Sequence, residues 1–358
     1  VLIFSKIPFR YIFYPFVYFY KVITFLLLLP LNLTEYIYII STVFWKYLKK
    51  TVEILFLDKN KFSQKLNELF SSQKEKNTSL PVTINQKGGN RNSLIGSFKM
   101  LYKQKSALKS IVIRDVRQEF IQTQLGPIWF FIMPFIQATV FYVVFGNVGK
   151  MPTEGSNAFF FYIFGLLVWS SYSQASINIS YTLVENAGIL TKVPCSPLLF
   201  PFSKAYFRLI QCCVNLIVFY FVYICLQGFS AIKLSIFSPF FIILGLAIVM
   251  LTAMSGGLIA AALSIKKRDF LYLWSFIITA LMYLTPIIYP FRALPLKWKY
   301  IAAINPLTSG IEMVRSTILG LPILDLKFIL MGLCTLFILI IFCTYFYLSR
   351  FRLAMDHL

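Results

Sequence analysis

The sequence predicts an all-α integral membrane protein with six transmembrane helices and a cytoplasmic amphipathic helix. Three observations carry that reading. Hydrophobic residues make up 58% of the 358 residues and charged residues only 13%, against about 25% charged in an ordinary soluble domain. The charges are bunched, with long charge-free stretches between them. Six of those stretches approach the roughly 20 residues a helix needs to cross a hydrocarbon core about 30 Å thick.

Taken in order, the first 80 residues stand apart. Residues 11–31 are apolar and aromatic but broken by Pro15, Lys21 and Pro30. Over residues 36–57, Lys46, Lys49, Lys50 and Glu53 share one helical face and Phe44, Leu48, Val52 and Leu55 the other. That is the pattern of a helix lying in the membrane interface rather than crossing it. The polar run 71–92, with Gly88 and Gly89, reads as a linker. The expected organisation is a membrane-associated extension and linker at 1–80 and a transmembrane domain at 81–358.

Next comes an amphipathic helix over 108–125, in which Leu108, Val112, Val116 and Phe120 recur at helical spacing while Lys109, Arg114, Arg117 and Glu119 point elsewhere. It feeds the first apolar run, Ile128–Phe145. The others are Ala158–Tyr172, Ala205–Leu226, Pro239–Ile265, Phe270–Tyr289 and Phe328–Leu348. The second is short, but it continues as a helix through Ser173, Gln174 and Asn178 if that end faces protein or water. Six spans place both termini on one side. That side collects Lys99, Lys103, Lys105, Lys109, Arg114, Arg117, Lys192, Lys204, Lys266, Lys267, Arg268, Arg350 and Arg352. The opposite side holds Lys150, Lys233, Arg292, Lys297, Lys299, Arg315 and Lys327. Basic residues favour the cytoplasmic side, so both termini are expected there.

Composition and motif excludes several functions. A net charge of +21 suits contact with anionic lipid headgroups, and without any nucleic-acid module it does not point to nucleic acid. The six cysteines form no C-x-x-C pair and the one histidine is His357, so no metal site is expected. No G-x-x-x-x-G-K-[ST] run is present, so no ATP site of the P-loop type is expected on this chain. The six apolar interiors contain no Asp or Glu, the groups that ion-coupled carriers use. Energy is therefore expected from outside the bilayer. The neutral polar residues Gln137, Gln174, Asn178, Gln211 and Asn215, with Arg208 near a span end, are expected to hydrogen-bond between helices.

Four segments in order carry a family resemblance. PVTIN at 81–85 comes first. RDVRQEFIQTQLGPIWFFIMPF at 114–135 begins with an Arg-Asp pair and passes through Gln124, Leu125 and Gly126 into the first span. ENAGILTKVPCSPLLFPFSK at 185–204 joins the second and third spans. It reads as a short helix, Glu185 near its start and Lys192 near its end, stopped by Pro194 and Pro197. In TPIIYPFRALPLKWKYIAAINPLTSGIEMVRSTILG at 285–320, Pro286, Pro290 and Pro295 end the fifth span early. Asn305 and Pro306 make a turn, and a helix with Glu312 and Arg315 follows. Together these resemble type-2 ABC exporter permeases, specifically the polysaccharide exporters of O-antigen, capsule or teichoic acid.

The resemblance implies a permease rather than an enzyme, working as a homodimer with a separate ABC ATPase subunit that binds the ATP and magnesium. The permease itself holds no cofactor. It implies that Glu185, Asn186, Ile189, Leu190 and Lys192 dock into that ATPase. Arg114, Asp115, Arg117, Gln124, Leu125 and Gly126 correspond to the gating amphipathic helix, and 285–320 to outer re-entrant helices. The cargo implied is a lipid-linked glycan; a drug or small lipid is the alternative, and a membrane enzyme or passive channel a more distant one. Arg114 and Arg117 suit either a glycan pyrophosphate or anionic lipid. Trp169, Tyr172, Tyr220 and Tyr223 suit either sugar stacking in a channel or anchoring to lipid.

Overall fold

The computed structural model describes residues 94–121, 129–190, 195–228, 235, 237–265 and 267–357. The side chains of Leu94, Ile95, Arg117, Phe120, Ile121 and residues 352–357 fall outside that set, as do Lys192, Gln124, Leu125, Gly126 and the whole 1–80 extension.

The described residues form helices only. In chain order they are α1 (Leu94–Lys103), α2 (Lys105–Ile121), α3 (Trp129–Phe141), α4 (Ala158–Ser180), α5 (Thr182–Glu185), α6 (Ala187–Leu190) and α7 (Leu199–Gln227). After these come α8 (Ser238–Ser264), α9 (Asp269–Leu284), α10 (Leu296–Ile304), α11 (Pro306–Leu319) and α12 (Leu326–His357). A helix thus occupies each of the six apolar runs.

Four of the six are long and apolar enough to cross a membrane: α3 with the π-helical turn Tyr142–Val148 that extends it, α7, α8 and α12. The other two differ for separate reasons. α4 has 23 residues, but its second half is rich in Ser, Gln and Asn. Hydroxyls in that half are satisfied within the helix: Ser171 donates to the Leu167 carbonyl at 2.9 Å and Ser180 to that of Ile177 at 2.7 Å. α9 has 16 residues and spans about 24 Å at 1.5 Å per residue. It ends at Leu284 because Pro286 disfavours the helical conformation in the residue before it.

α4 and α8 make the centre. α8 packs against α4, α11, α12, α7 and α9, and α4 also against α3, α7 and α11. Close approach is possible because α8 lacks side chains where it is crossed. A Cβ on Gly257 would lie 2.6 Å from Ile179 Cβ and 2.8 Å from the Ser176 carbonyl oxygen. One on Gly310 of α11 would lie 2.6 Å from Val249 Cγ2. Trp274 of α9 seals one such crossing by donating from Nε1 to Ser176 Oγ at 3.1 Å.

Apolar side chains also point outward, as on α3 (Met133, Ile136, Val140), α9 (Tyr272, Phe276) and α12 (Phe337, Ile338, Phe342). Such surfaces are stable when lipid is the solvent. The chain is a multi-pass membrane protein.

Candidate functional site

Two polar clusters lie in this apolar frame. The first joins α2, α5, α6 and the start of α7. The inward face of α2 holds Val112, fully buried, with Leu108 and Val116 half-buried, as the periodicity predicts. The same face carries two acids. Asp115 is buried, and Glu119 turns toward α7 rather than away from the protein, because Arg208 stands opposite it. Arg208 Nη1 lies 3.0 Å from Glu119 Oε1 and also donates to Gln211 Oε1 at 2.6 Å.

Arg114 is engaged on two sides. It pairs with its neighbour Asp115 at 2.9 Å and donates to Asn186 Oδ1 at 3.3 Å. Lys204 of α7 lies 3.4 Å from Asp115 Oδ2 and 3.3 Å from Glu185 Oε2. Arg114 thus has protein partners on two sides.

The connection predicted as one helix from Glu185 to Lys192 is instead two short turns. Glu185 closes α5, Asn186 marks the break, and α6 begins at Ala187. The break has a local cause: the Asn186 amide donates back to the Thr182 carbonyl at 3.0 Å, closing the preceding turn. Ile189 and Leu190, expected to dock together, are separated by the fold. Ile189 is 41% exposed, whereas Leu190 is 5% exposed and packs with Leu101, Leu183 and Leu198. A Cβ on Gly188 would meet nothing within 4 Å. The free tip of this connection is thus Gly188–Ile189, held from behind by Leu190, Asn186 and Glu185. Nearby, the Ser196 N–H donates to Gln104 Oε1 at 2.9 Å, and the Tyr347 hydroxyl donates to the Pro197 carbonyl at 3.1 Å. These tie α1–α2 and α12 to the same end.

The second cluster lies at the α9–α11 end. Asn305 accepts from the Leu307 N–H at 3.1 Å and Pro306 takes the first helical position, so the predicted turn is the N-cap of α11. Gly320, with φ +66°, closes α11 in the left-handed conformation. Within α11, Arg315, counted among the basic residues of the outer side, is 0% exposed. It pairs with Glu312 and donates to the carbonyls of Ile287 at 3.1 Å and Pro286 at 3.2 Å. Its guanidinium lies 3.8 Å from the centre of the Phe161 ring, and Gly165 leaves room for it. Glu312 also accepts from the Phe291 N–H at 3.1 Å. Pro290 opens the intervening turn, its carbonyl accepting from the Ala293 N–H at 3.1 Å. Prolines at 286, 290 and 295 leave this turn without a regular ladder, and the Glu312–Arg315 pair satisfies its freed backbone groups. Arg315 therefore adds nothing to the surface charge bias on that side. Glu154, in the α3–α4 connection, has its carboxyl pushed up by burial and then by the Glu312 charge.

The aromatics expected to stack on sugars or anchor to lipid pack among the helices of this chain. Trp169, Tyr172 and Tyr223 are buried in the central core and Tyr220 packs against its edge. Trp169 and Tyr172 have ring centres 5.1 Å apart, and Tyr223 meets Phe160 edge-on at 4.7 Å. They belong to helix packing because α4, which carries the first pair, lies at the centre. The acid-to-base bridges of α2 and α7 were legible only as charges at helical spacing; their partners come from segments about 90 residues away.

Two O-antigen export system permease proteins RfbA of Klebsiella pneumoniae are similar to this chain. One is 26% identical over 224 residues, which is 60% of this chain and 82% of the relative. The other is 25% identical over 254 residues, 68% of this chain and 93% of the relative. Nodulation protein J of Rhizobium leguminosarum bv. viciae is 33% identical over 78 residues, 22% of this chain and 30% of that protein. The family signature described as ABC-2 type transporter matches residues 106–319, from the start of α2 to the end of α11. This chain belongs to the ABC-2 type transporter family.

Proposed function

We propose that this protein is the membrane permease of an exporter that moves a lipid-linked polysaccharide across the inner membrane, driven by a separate ABC ATPase subunit. Two copies form the pathway, each with six spans and both termini cytoplasmic. Residues 81–358 make the transport domain, with 1–80 a membrane-associated extension. The class of cargo rests on the O-antigen export permeases it resembles over most of their length. On this reading α10 and α11 are the outer re-entrant helices.

The observation that carries the energetic part is the α5–α6 connection. It presents an exposed Ile189 and an unobstructed Gly188 at its tip, between the buried Asn186 and Leu190. A rigid, small, partly apolar projection suits docking into a cleft of a partner. Glu185, Asn186 and the adjoining Arg114 and Asp115 support it from behind. Such docking needs no cofactor on this chain.

The test is Ile189→Asp with Leu190 left intact, because Leu190 is core. The variant is expected to reach the membrane at wild-type level, to lose the ATPase that co-purifies with the wild-type chain, and to stop placing polysaccharide on the cell surface. Wild-type ATPase recovery and export from this variant would overturn the assignment.

A further inference from the structure

Asp115 and Glu119 stand four residues apart on α2; Lys204 and Arg208 stand four apart on α7. Lys204 meets Asp115 at 3.4 Å and Arg208 meets Glu119 at 3.0 Å. Residues four apart share a helix face one turn along. The two pairs are therefore successive rungs of a ladder between helices that run in the same direction.

The first rung is branched. Lys204 also reaches Glu185 at the end of α5, at 3.3 Å. On the far side of the rung, Arg114 links Asp115 to Asn186. The α5–α6 connection is thus held to α2 by two routes, one direct and one through Lys204. Among the ion pairs of the described residues, the one to Lys204 also connects it to α7. An ammonium group suits this position, since its three donors can serve two carboxylates from separate elements. The side chains of Lys204 and Asp115 are 13% and 4% exposed, so solvent and salt screen their attraction less than at an open surface.

We infer that Lys204 is the positioning residue through which a displacement of the α5–α6 connection reaches α7 and α2 together. Without it, the polar link left between the connection and α2 is the Arg114–Asn186 bond, beside the apolar packing of Leu190. With it, α2, α7 and the connection move as one body, and the second rung at Glu119–Arg208 extends that body one turn further along both helices. Lys204 thus sets how much transport follows each cycle of the partner ATPase. This inference rests on the docking role given above to Ile189.

Three variants test it in cells and in membranes holding the co-purifying ATPase: Lys204→Met, Lys204→Arg and Glu185→Gln. Methionine keeps the apolar stem and removes the charge. Glu185→Gln breaks only the branch and comes from a half-exposed side chain, so it leaves the fold undisturbed. The readout is surface polysaccharide per ATP hydrolysed, measured beside ATPase recovery. The ATPase should be recovered with all three. The ratio should fall about tenfold in Lys204→Met, a loss of the size usual for coupled sites, and by a lesser factor in Glu185→Gln. Lys204→Arg should restore at least half of it. A wild-type ratio in Lys204→Met would overturn the inference. So would loss of the ATPase from that variant, which would make Lys204 a docking contact. If Lys204→Met fails to reach the membrane, a wild-type ratio in Glu185→Gln overturns it equally. Normal export by Ile189→Asp would instead sink the docking reading beneath it, so the two failures are distinguishable.

Discussion

Arg315 shows how a charge is kept in an apolar frame. Its guanidinium has an acid, two carbonyls and an aromatic face around it, so the cost of desolvation is met by several partners at once. Removing one side of such a pair leaves the other charged and buried, which typically costs about 3–5 kcal/mol. Arg315→Met is expected to fall in that range, because Glu312 would keep only the Phe291 N–H and a weak contact from Ser316. Thermal aggregation in detergent should show a large fall in midpoint for Arg315→Met. Arg292→Met, which removes an exposed side chain bonded to the Ile323 carbonyl, should shift it little. Comparable midpoints for the two would show that the buried pair contributes nothing.

The helices owe their packing to absent side chains as much as to present ones. α8 is apolar on nearly every side, so hydrophobic periodicity alone says little about which face meets which neighbour. The contact with α4 is decided where Gly257 lets Ile179 and the Ser176 carbonyl approach. Replacing Gly with Ala favours an unobstructed helix by up to about 1 kcal/mol. At Gly257 that gain meets an overlap with backbone that cannot swing aside, and overpacking of this kind costs about 1–3 kcal/mol. The overlap wins, so Gly257→Ala should lower the midpoint. Gly188→Ala, where the added carbon meets open space, should hold or raise it. The opposite order in the same aggregation assay would contradict this account of the crossing.

Across the molecule, the polar contacts sort into two ends. Arg114, Asn186, Lys204, Ser196 and Tyr347 meet at one. The α9–α11 turn, with Glu154 electrostatically beside Glu312, makes the other. The proposed topology places the first end in the cytoplasm. It can be checked by single cysteines in a background without the six native ones, since Cys225 and Cys334 are exposed. Met151 and Lys297 are exposed and serve as the outside probes. An impermeant maleimide should label Met151→Cys and Lys297→Cys on intact cells and Lys267→Cys only after permeabilisation. Labelling of Lys267→Cys on intact cells would invert the topology.

Much of this was readable before any fold was known. Six apolar runs, the α2 stripe of Leu108, Val112 and Val116, and the Asn305–Pro306 start of α11 depend on spacing along the chain, and local geometry follows from spacing. What the folded chain added depends on residues far apart in sequence. No local pattern could show that Arg315 turns inward onto the 286–291 turn, that Leu190 is core while Ile189 beside it is free, or that Trp169 and Tyr172 are interior. Helical spacing shows that Asp115 and Glu119 share a face, but not that Lys204 and Arg208 stand opposite. Periodicity tells a side chain which way it points from its own helix; which charge or glycine waits there is set by how helices from distant parts of the chain pack.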